Sequence, residues 1–243
     1  MNRQQIRTTI LLLSLLLMSV TFVYISPLIM MTGLASGVIA AGLIFWIIAF
    51  LLTLVTGRVF CGYLCPMGAE QEIIDKALKI PLRTVTNLRY LKYLLAVLWV
   101  GGAIFLAAAA GTLVLNPLFG IGSGLPPWQA GAYLFLYAIT LGVFVLVLIL
   151  GRRGMCNYLC PMSVVFIVIT KLKNALKIPS LHLVAEPDEC IKCKKCTASC
   201  PMSLPVQEMA GAQKMQNPEC ILCGNCVNAC TKNVIRFAWR WNR

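Results

Sequence analysis

Two long stretches of the chain, residues 8–57 and 93–151, contain no Asp, Glu, Lys, Arg or His. A helix that crosses a membrane needs roughly 20 apolar residues, so each stretch predicts two spans joined by a turn. The spans are expected near 10–31, 38–56, 93–114 and 132–150. The turns are TGLASG at 32–37 and NPLFGIGSGLPPW at 116–128, the second too rich in Gly and Pro to be helix. Trp128 and Tyr133 suit a membrane–water interface. Pro27 falls inside the first span, where a kink is tolerable in a membrane. The N-terminal MNRQQIRTTILLLSLLLMSV is similar to a signal peptide, but its apolar run is long and no small-residue cleavage site follows. An uncleaved first span is expected.

Composition supports this picture. The chain is 59% hydrophobic and 12% charged, about half the charged fraction of a soluble domain. All 21 Lys and Arg fall in the N-terminal stub, in 57–92 or from 152 onwards, and the outer turns have none. The positive-inside rule then predicts a multi-pass protein of a bacterial or archaeal inner (cytoplasmic) membrane, with both termini and 57–92 cytoplasmic. The net charge of +13 hugs the membrane ends. It suits anionic lipid headgroups and not a nucleic-acid-binding face.

The membrane part is duplicated. GRVFCGYLCPMG (57–68) matches GRRGMCNYLCPMS (151–163) with one insertion, and both cysteine pairs recur at an offset of 95. ALKIP recurs at 77–81 and 175–179. Each unit is two spans, Gly-Arg, a C-x3-C-P motif, a short helix and a proline. Both copies point the same way, which predicts an approximate two-fold along the membrane normal, with sites where the copies meet. The helix AEQEIIDKALKI is amphipathic: Ile73, Ile74, Ala77 and Leu78 form one face, with Glu72–Lys76 and Asp75–Lys79 pairs on the other. It is expected on the inner membrane surface. Its counterpart VVFIVITKLKNALKI is greasier and is expected to dip into the membrane.

From about residue 183 the chain turns Cys-rich. CIKCKKCTASCP (190–201) is C-x2-C-x2-C-x3-C-P, and CILCGNCVNAC (220–230) repeats the spacing with Thr231 in place of the last proline. This is the spacing of bacterial two-cluster ferredoxins, in which the fourth cysteine ligates the other cluster. By that rule Cys190, Cys193, Cys196 and Cys230 hold one [4Fe–4S], and Cys200, Cys220, Cys223 and Cys226 hold the other. Zinc motifs use separated pairs instead. Lys192, Lys194 and Lys195 are expected to be solvated, with partner docking as the alternative. So small a unit buries little core and needs its metal framework.

CTASCP is also C-x3-C-P, so one copy of this pattern already belongs to iron–sulfur chemistry. Two cysteines cannot complete a cubane, but two copies on a two-fold can. Cys61, Cys65, Cys156 and Cys160 are therefore expected to meet and share one metal centre, an iron–sulfur cluster or, alternatively, Cu(I). A purely structural role for four buried thiols is the bland alternative. Arg58, Arg152 and Arg153 are expected to lower the thiol pKa values.

These motifs together resemble those of the membrane ferredoxins related to NapH, a group that includes NosR-like and CcoG-like proteins. The resemblance covers nearly the whole chain. It implies electron exchange between membrane quinone or quinol and a redox partner protein, as the quinol dehydrogenase-type component of a larger complex. A copper-reducing or assembly factor of the CcoG type, and an iron–sulfur membrane anchor, are the competing readings. His182 is the one histidine, which excludes bis-histidine haem, and no CxxCH occurs. A solvated His182 is expected, with a quinone headgroup contact as the alternative. The expected architecture is an all-α four-helix membrane domain built from a duplicated hairpin (1–182), followed by a small α+β two-cluster ferredoxin domain (183–243) on the cytoplasmic side.

Overall fold

A computed structural model describes residues 2–18, 21, 26–80, 88–119 and 130–240, with the side chains of 130–133, 135 and 240 excepted. Trp128 and most of the 116–128 turn lie outside the described residues, as does the side chain of Tyr133. The first expected span is divided. Helix α1 covers Arg3–Leu16, and a separate helix, α2, covers Pro27–Ala35. Ser26 is extended (φ −67°, ψ 120°) and Pro27 opens the new helix. Proline pushes its predecessor out of helical geometry and suits a first helical position, so it starts α2 where a kink was expected. The turn expected at 32–37 is shorter, because α2 runs to Ala35 and Gly37 then turns at φ 68°.

Strand β1 (Val38–Ile39) precedes helix α3 (Ala41–Thr56) and pairs in parallel with β2 (Val114–Leu115), joining the two outer turns. Helices α4 (Val59–Tyr63) and α5 (Pro66–Leu78) follow α3; α6 (Arg89–Ala110), α7 (Ala130–Leu150), α8 (Gly154–Tyr158) and α9 (Pro161–Ala175) repeat the series. Among the described residues one helix, α6, is long and apolar enough to cross a membrane, with a mean hydropathy of 2.2 over its most apolar window. Ala41–Thr56 and Leu136–Leu150 are apolar but shorter stretches of helix.

The duplication is realised at atomic detail. Cys65 and Cys160 each stand before an N-terminal proline in near-identical extended geometry, φ −70°, ψ 116° and φ −71°, ψ 112°. The N–H groups of Leu64 and Cys65 donate to the Phe60 carbonyl, as those of Leu159 and Cys160 donate to Met155. Each ALKIP ends its helix with a left-handed lysine, Lys79 at φ 51° and Lys177 at φ 54°. The copies also exchange partners. Helix α5 packs on α1 of its own copy and α7 of the other, and α9 packs on α6 of its own copy and α3 of the other. The second post-cysteine helix is thus core, with Phe166 and Ile167 1% exposed.

The first post-cysteine helix departs from expectation. Its polar side is buried: Glu70, Gln71 and Glu72 are inside, whereas Ile73, Ala77 and Leu78 are exposed. Glu72 explains the inversion. Its carboxylate is paired with Arg7 and lies 3.1 Å from Arg153, and Lys76 reaches it at 3.2 Å from the surface. Asp75 pairs with Arg152 at 3.0 Å and not with Lys79. Two fully buried guanidinium groups need a buried anion, and this outweighs burying two more apolar side chains. The exposed Ile73–Leu78 face remains available to an apolar surface.

Strands β3 (Ser180–Ala185) and β4 (Ile235–Arg240) form an antiparallel pair, with Ser180 opposite Arg240 and Ala185 opposite Ile235. β3 lies astride the expected domain boundary and packs on α3. Between the strands run a 3-10 turn (Pro187–Glu189) and the short helices α10 (Lys195–Ala198), α11 (Val206–Gly211) and α12 (Asn225–Ala229); α10 and α12 lie one in each cysteine motif, and α11 lies between the motifs. Their core is Met202, Leu204, Met215, Ile221 and Ile235 with several cysteines. His182 is buried in β3, its Nδ1 2.9 Å from the Ser180 carbonyl; the strand pairing removes it from the solvent in which it was expected.

Burial would raise the Glu72 carboxyl, but Arg153 and Arg7 hold it down at about 2. A carboxylate depressed in the fold contributes stability that is complete above its unfolded value near 4.3 and is lost as pH falls towards 2. Glu72→Gln leaves two buried cations facing a neutral amide. It should cost about 3–5 kcal/mol and flatten the acid limb of a thermal-unfolding pH series, both read by circular dichroism in detergent.

Candidate functional site

The twelve cysteines collect around three cavities. Cys190, Cys193, Cys196 and Cys230 line the first, and Cys200, Cys220, Cys223 and Cys226 line the second. These are the two groups that ferredoxin spacing assigns, and no His, Asp or Glu joins either. The third, of about 310 Å³, is lined by Cys61, Cys65, Cys156 and Cys160 together. The duplicated hairpin therefore brings its two C-x3-C-P motifs to one void. Among the described residues, no three His, Cys, Asp or Glu side chains converge closely enough to hold a single metal ion. Four sulfurs around a void offer the donors of a cubane, which sets its ligands on separate irons.

Local structure places these sulfurs. Each C-x3-C pair spans one short helix, and the following proline starts the next, so the second cysteine sits at a helix N-cap. Trp46, Phe60 and Phe166 wall the cavity on one side, with Phe50 packed on Trp46 and Phe166 and ring centroids 5.0–6.2 Å apart. Met67, Met155 and Met162 also line it, and Leu28, Trp99 and Ile139 extend it into the span helices. Gln71 is fully buried; it accepts from the Met155 N–H at 3.1 Å and donates to Cys156 Sγ at 3.3 Å.

The arginines do not produce depressed thiol pKa values. Burial comes first and raises Cys61 and Cys65, and it pushes Cys160 up to about 12; Arg58 and Arg153 lower Cys61 only in part. Thiolates in such a site need a metal to be stable, since burial penalises their bare charge.

The ferredoxin unit is clamped onto this cavity. Arg58 donates to the Pro218 carbonyl at 3.2 Å, and Arg152 donates to the Ala198 carbonyl at 2.7 Å. The Arg152 of the second copy thus grips the first cysteine motif, and the Arg58 of the first copy grips the turn two residues before the second. From the N-terminus, Arg3 donates to the Gly224 carbonyl and Gln4 to the Cys223 carbonyl, at 2.9 and 3.0 Å. Arg7 donates to the Gly62 carbonyl (2.9 Å) and to Asn225 (3.2 Å). Lys92, fully buried, pairs with Glu219 at 2.7 Å, and Arg58 lies 3.5 Å from the same carboxylate. Cys61 packs against both the ferredoxin core and the aromatic core of the helices.

Arg7, Gln71, Glu72, Lys92 and Glu219 did not emerge as site residues from the motifs. A signal was present: the chain has only eight Asp and Glu, and three of them crowd at 70–75 in one copy of the repeat, where the other copy reads VFIVIT at 165–170. Lys192, Lys194 and Lys195 are exposed beside the first cavity, as expected, and Cys193 is exposed with them.

Comparison with known proteins finds iron–sulfur domains over the same three segments of the chain. A family model described as a 4Fe-4S binding domain matches twice, over residues 38–84 and 133–179, each match enclosing one C-x3-C-P motif. A model described as a 4Fe-4S dicluster domain matches residues 182–231. The ferredoxin-type protein NapH of Escherichia coli is 28% identical over 233 residues, 89% of this chain and 75% of NapH. An uncharacterised protein of Methanocaldococcus jannaschii is 27% identical over 212 residues, 81% of this chain and 79% of its own. The methylamine utilization ferredoxin-type protein MauN of Methylorubrum extorquens is 25% identical over 241 residues, covering 88% and 74%. No solved structure matches. Three cysteine-lined cavities and these matches define an iron–sulfur protein of the ferredoxin type, an electron-transfer protein. The chain belongs to the NapH-like family of ferredoxin-type proteins.

Close approach of backbones makes Gly62 a sensitive point. A Cβ there would stand 2.4 Å from the Ile221 carbonyl oxygen, a clash that only separating the two units relieves. Gly62→Ala should loosen the ferredoxin unit without removing a ligand. Trypsin should then cut faster near residues 171–177 in the full-length protein, at unchanged iron content after anaerobic purification.

Proposed function

We propose that the four C-x3-C-P cysteines hold a shared iron–sulfur cluster, and that the chain carries electrons between this centre and two [4Fe–4S] clusters in the ferredoxin unit. The observation that carries this reading is the single cavity lined by Cys61, Cys65, Cys156 and Cys160. Its support is the match of a 4Fe-4S binding model to each half of the repeat. Cys190, Cys193, Cys196 and Cys230 ligate the outer cluster, and Cys200, Cys220, Cys223 and Cys226 the inner one. The inner cluster is the neighbour of the membrane-side centre, because the Ile221 backbone touches Gly62 and Cys61 packs against the ferredoxin core. The outer cluster, at exposed Cys193, meets the redox partner protein.

The remaining partner is membrane quinone or quinol, in a quinol dehydrogenase-type role. The large cavity is apolar and continues to Leu28, Trp99 and Ile139 on α2, α6 and α7. A quinone ring entering from the lipid would approach the membrane-side centre there. The unit 1–182 is then a four-span, multi-pass domain of the cytoplasmic membrane, and 183–243 is a ferredoxin domain on its cytoplasmic face. The exposed apolar edge of α5, at Ile73 and Leu78, rests on the lipid surface. One observation favours the copper-reducing alternative: Met67, Met155 and Met162 share the cavity with the thiols, and thioethers with thiolates suit Cu(I).

Cys61→Ala and Cys160→Ala should each lower the iron and acid-labile sulfide of the anaerobically purified chain from about twelve to about eight per chain, one cubane of four irons. Unchanged iron sinks the shared cluster, and stoichiometric copper in its place selects the second reading. A reduced quinol analogue should bleach the cluster absorbance of the wild-type protein. If dithionite bleaches it and the quinol does not, quinol is not the donor.

A further inference from the structure

The buried charges between the two units do not balance. Arg58, Lys92 and Lys173 are 1%, 0% and 3% exposed, and Glu219 is the one carboxylate paired with any of them among the described residues. Lys92 holds that carboxylate at 2.7 Å, leaving Arg58 the longer contact of 3.5 Å. Arg58 Nε is buried with no hydrogen-bond partner. Lys173 has no carboxylate beside it, and burial lowers its pKa. Surplus buried cations cost free energy unless an anion meets them.

Arg58 has a particular place in this surplus. Its side chain lines two different voids. One is the C-x3-C-P cavity with Cys61, Cys65, Cys156 and Cys160; the other is a small crevice against Cys220, shared with Lys173 and His182. It also follows Gly57, the left-handed residue (φ 65°) that ends α3, and its main chain leads straight into the first C-x3-C helix. A guanidinium so placed faces one ligand of the inner ferredoxin cluster and the ligands of the membrane-side centre together.

We infer that Arg58 is a counter-charge shared by the inner ferredoxin cluster and the C-x3-C-P centre, raising the reduction potential of both. The inference rests on the reading that the C-x3-C-P cysteines hold a cluster. A cubane on four thiolates is anionic, and reduction adds one electron and one negative charge without moving an atom. A fixed cation buried in low dielectric stabilises the reduced form more than the oxidised form. Because the same cation serves both centres, its charge moves both potentials in the same direction and opens no large gap between them. Among the described residues no such buried cation lines the outer cavity; Lys192, Lys194 and Lys195 beside it are in solvent, where screening weakens them.

The test is an anaerobic potentiometric titration of the full-length protein with dithionite and mediators, followed by electron paramagnetic resonance. Arg58→Gln should lower both inner potentials, each with about a tenfold fall in the equilibrium constant for reduction, or 59 mV for a one-electron couple. The outer cluster should not move. Glu219→Gln removes a negative charge next to Cys220 and frees the Arg58 charge, so it should raise both inner potentials, the opposite sign from Arg58→Gln, which a merely structural role would not give; it also stands in if Arg58→Gln fails to fold. Lys173→Gln should move the inner cluster alone. Full iron content with both potentials unchanged in Arg58→Gln overturns the inference, as does movement of only one of the two. A wild-type chain with about eight irons removes the C-x3-C-P centre itself, and so the reading beneath the inference, before any substitution is made.

Discussion

One carboxylate, Glu72, meets two buried guanidinium groups from opposite parts of the sequence. Arg7 comes from the first helix and Arg153 from the second copy of the repeat. Each arginine also holds a carbonyl of the first cysteine helix, Gly62 for Arg7 and Cys61 for Arg153. The ion cluster thus fixes the cysteine helix of one copy against the chain turn of the other. Without it, two cations would be stranded in an apolar interior at high cost. The alternative response, neutralisation, is closed to arginine.

The partner exchange between the copies depends on that junction. A single hairpin with one C-x3-C-P motif has two sulfurs and an open flank. When α5 crosses to α7 and α9 crosses to α3, both motifs face one void and the aromatic residues of both copies close it. Asymmetry then does separate work. The first copy carries the acids that anchor the arginines, Glu72 and Asp75, whereas the second carries Ile167 and Thr170 at the corresponding places. One post-cysteine helix is therefore an ionic anchor and the other a packing element, although both begin with the same proline and end with the same left-handed lysine.

Side chains of the membrane part hold backbone carbonyls of the ferredoxin unit. Arg3 and Arg152 each take a carbonyl of a cysteine motif, and Arg58 takes that of Pro218, just before the second motif. Such contacts keep the ligand loops in register with the helices. Gly62 allows the two backbones to touch. Electron transfer falls steeply with separation, so an interface that brings backbone onto backbone beside Cys61 and Cys220 serves the function directly.

Much of this was legible along the chain. The charge-free stretches marked the apolar helices, the duplication paired the cysteines, and the ferredoxin spacing grouped the other eight, because covalent spacing and short helical turns limit which sulfurs can reach one cubane. ALKIP even marked two equivalent helix ends. Other features needed the tertiary structure. The burial of Glu70–Glu72 reverses what amphipathicity alone suggests, since helical periodicity records polarity and not whether a buried partner of opposite charge waits across the interface. The break at Ser26–Pro27, the strand that buries His182, and the placing of Arg58 between two cysteine sites arise from contacts between residues distant in sequence. Local pattern decides which side chains are charged or apolar; only packing decides which charges face each other in the absence of water.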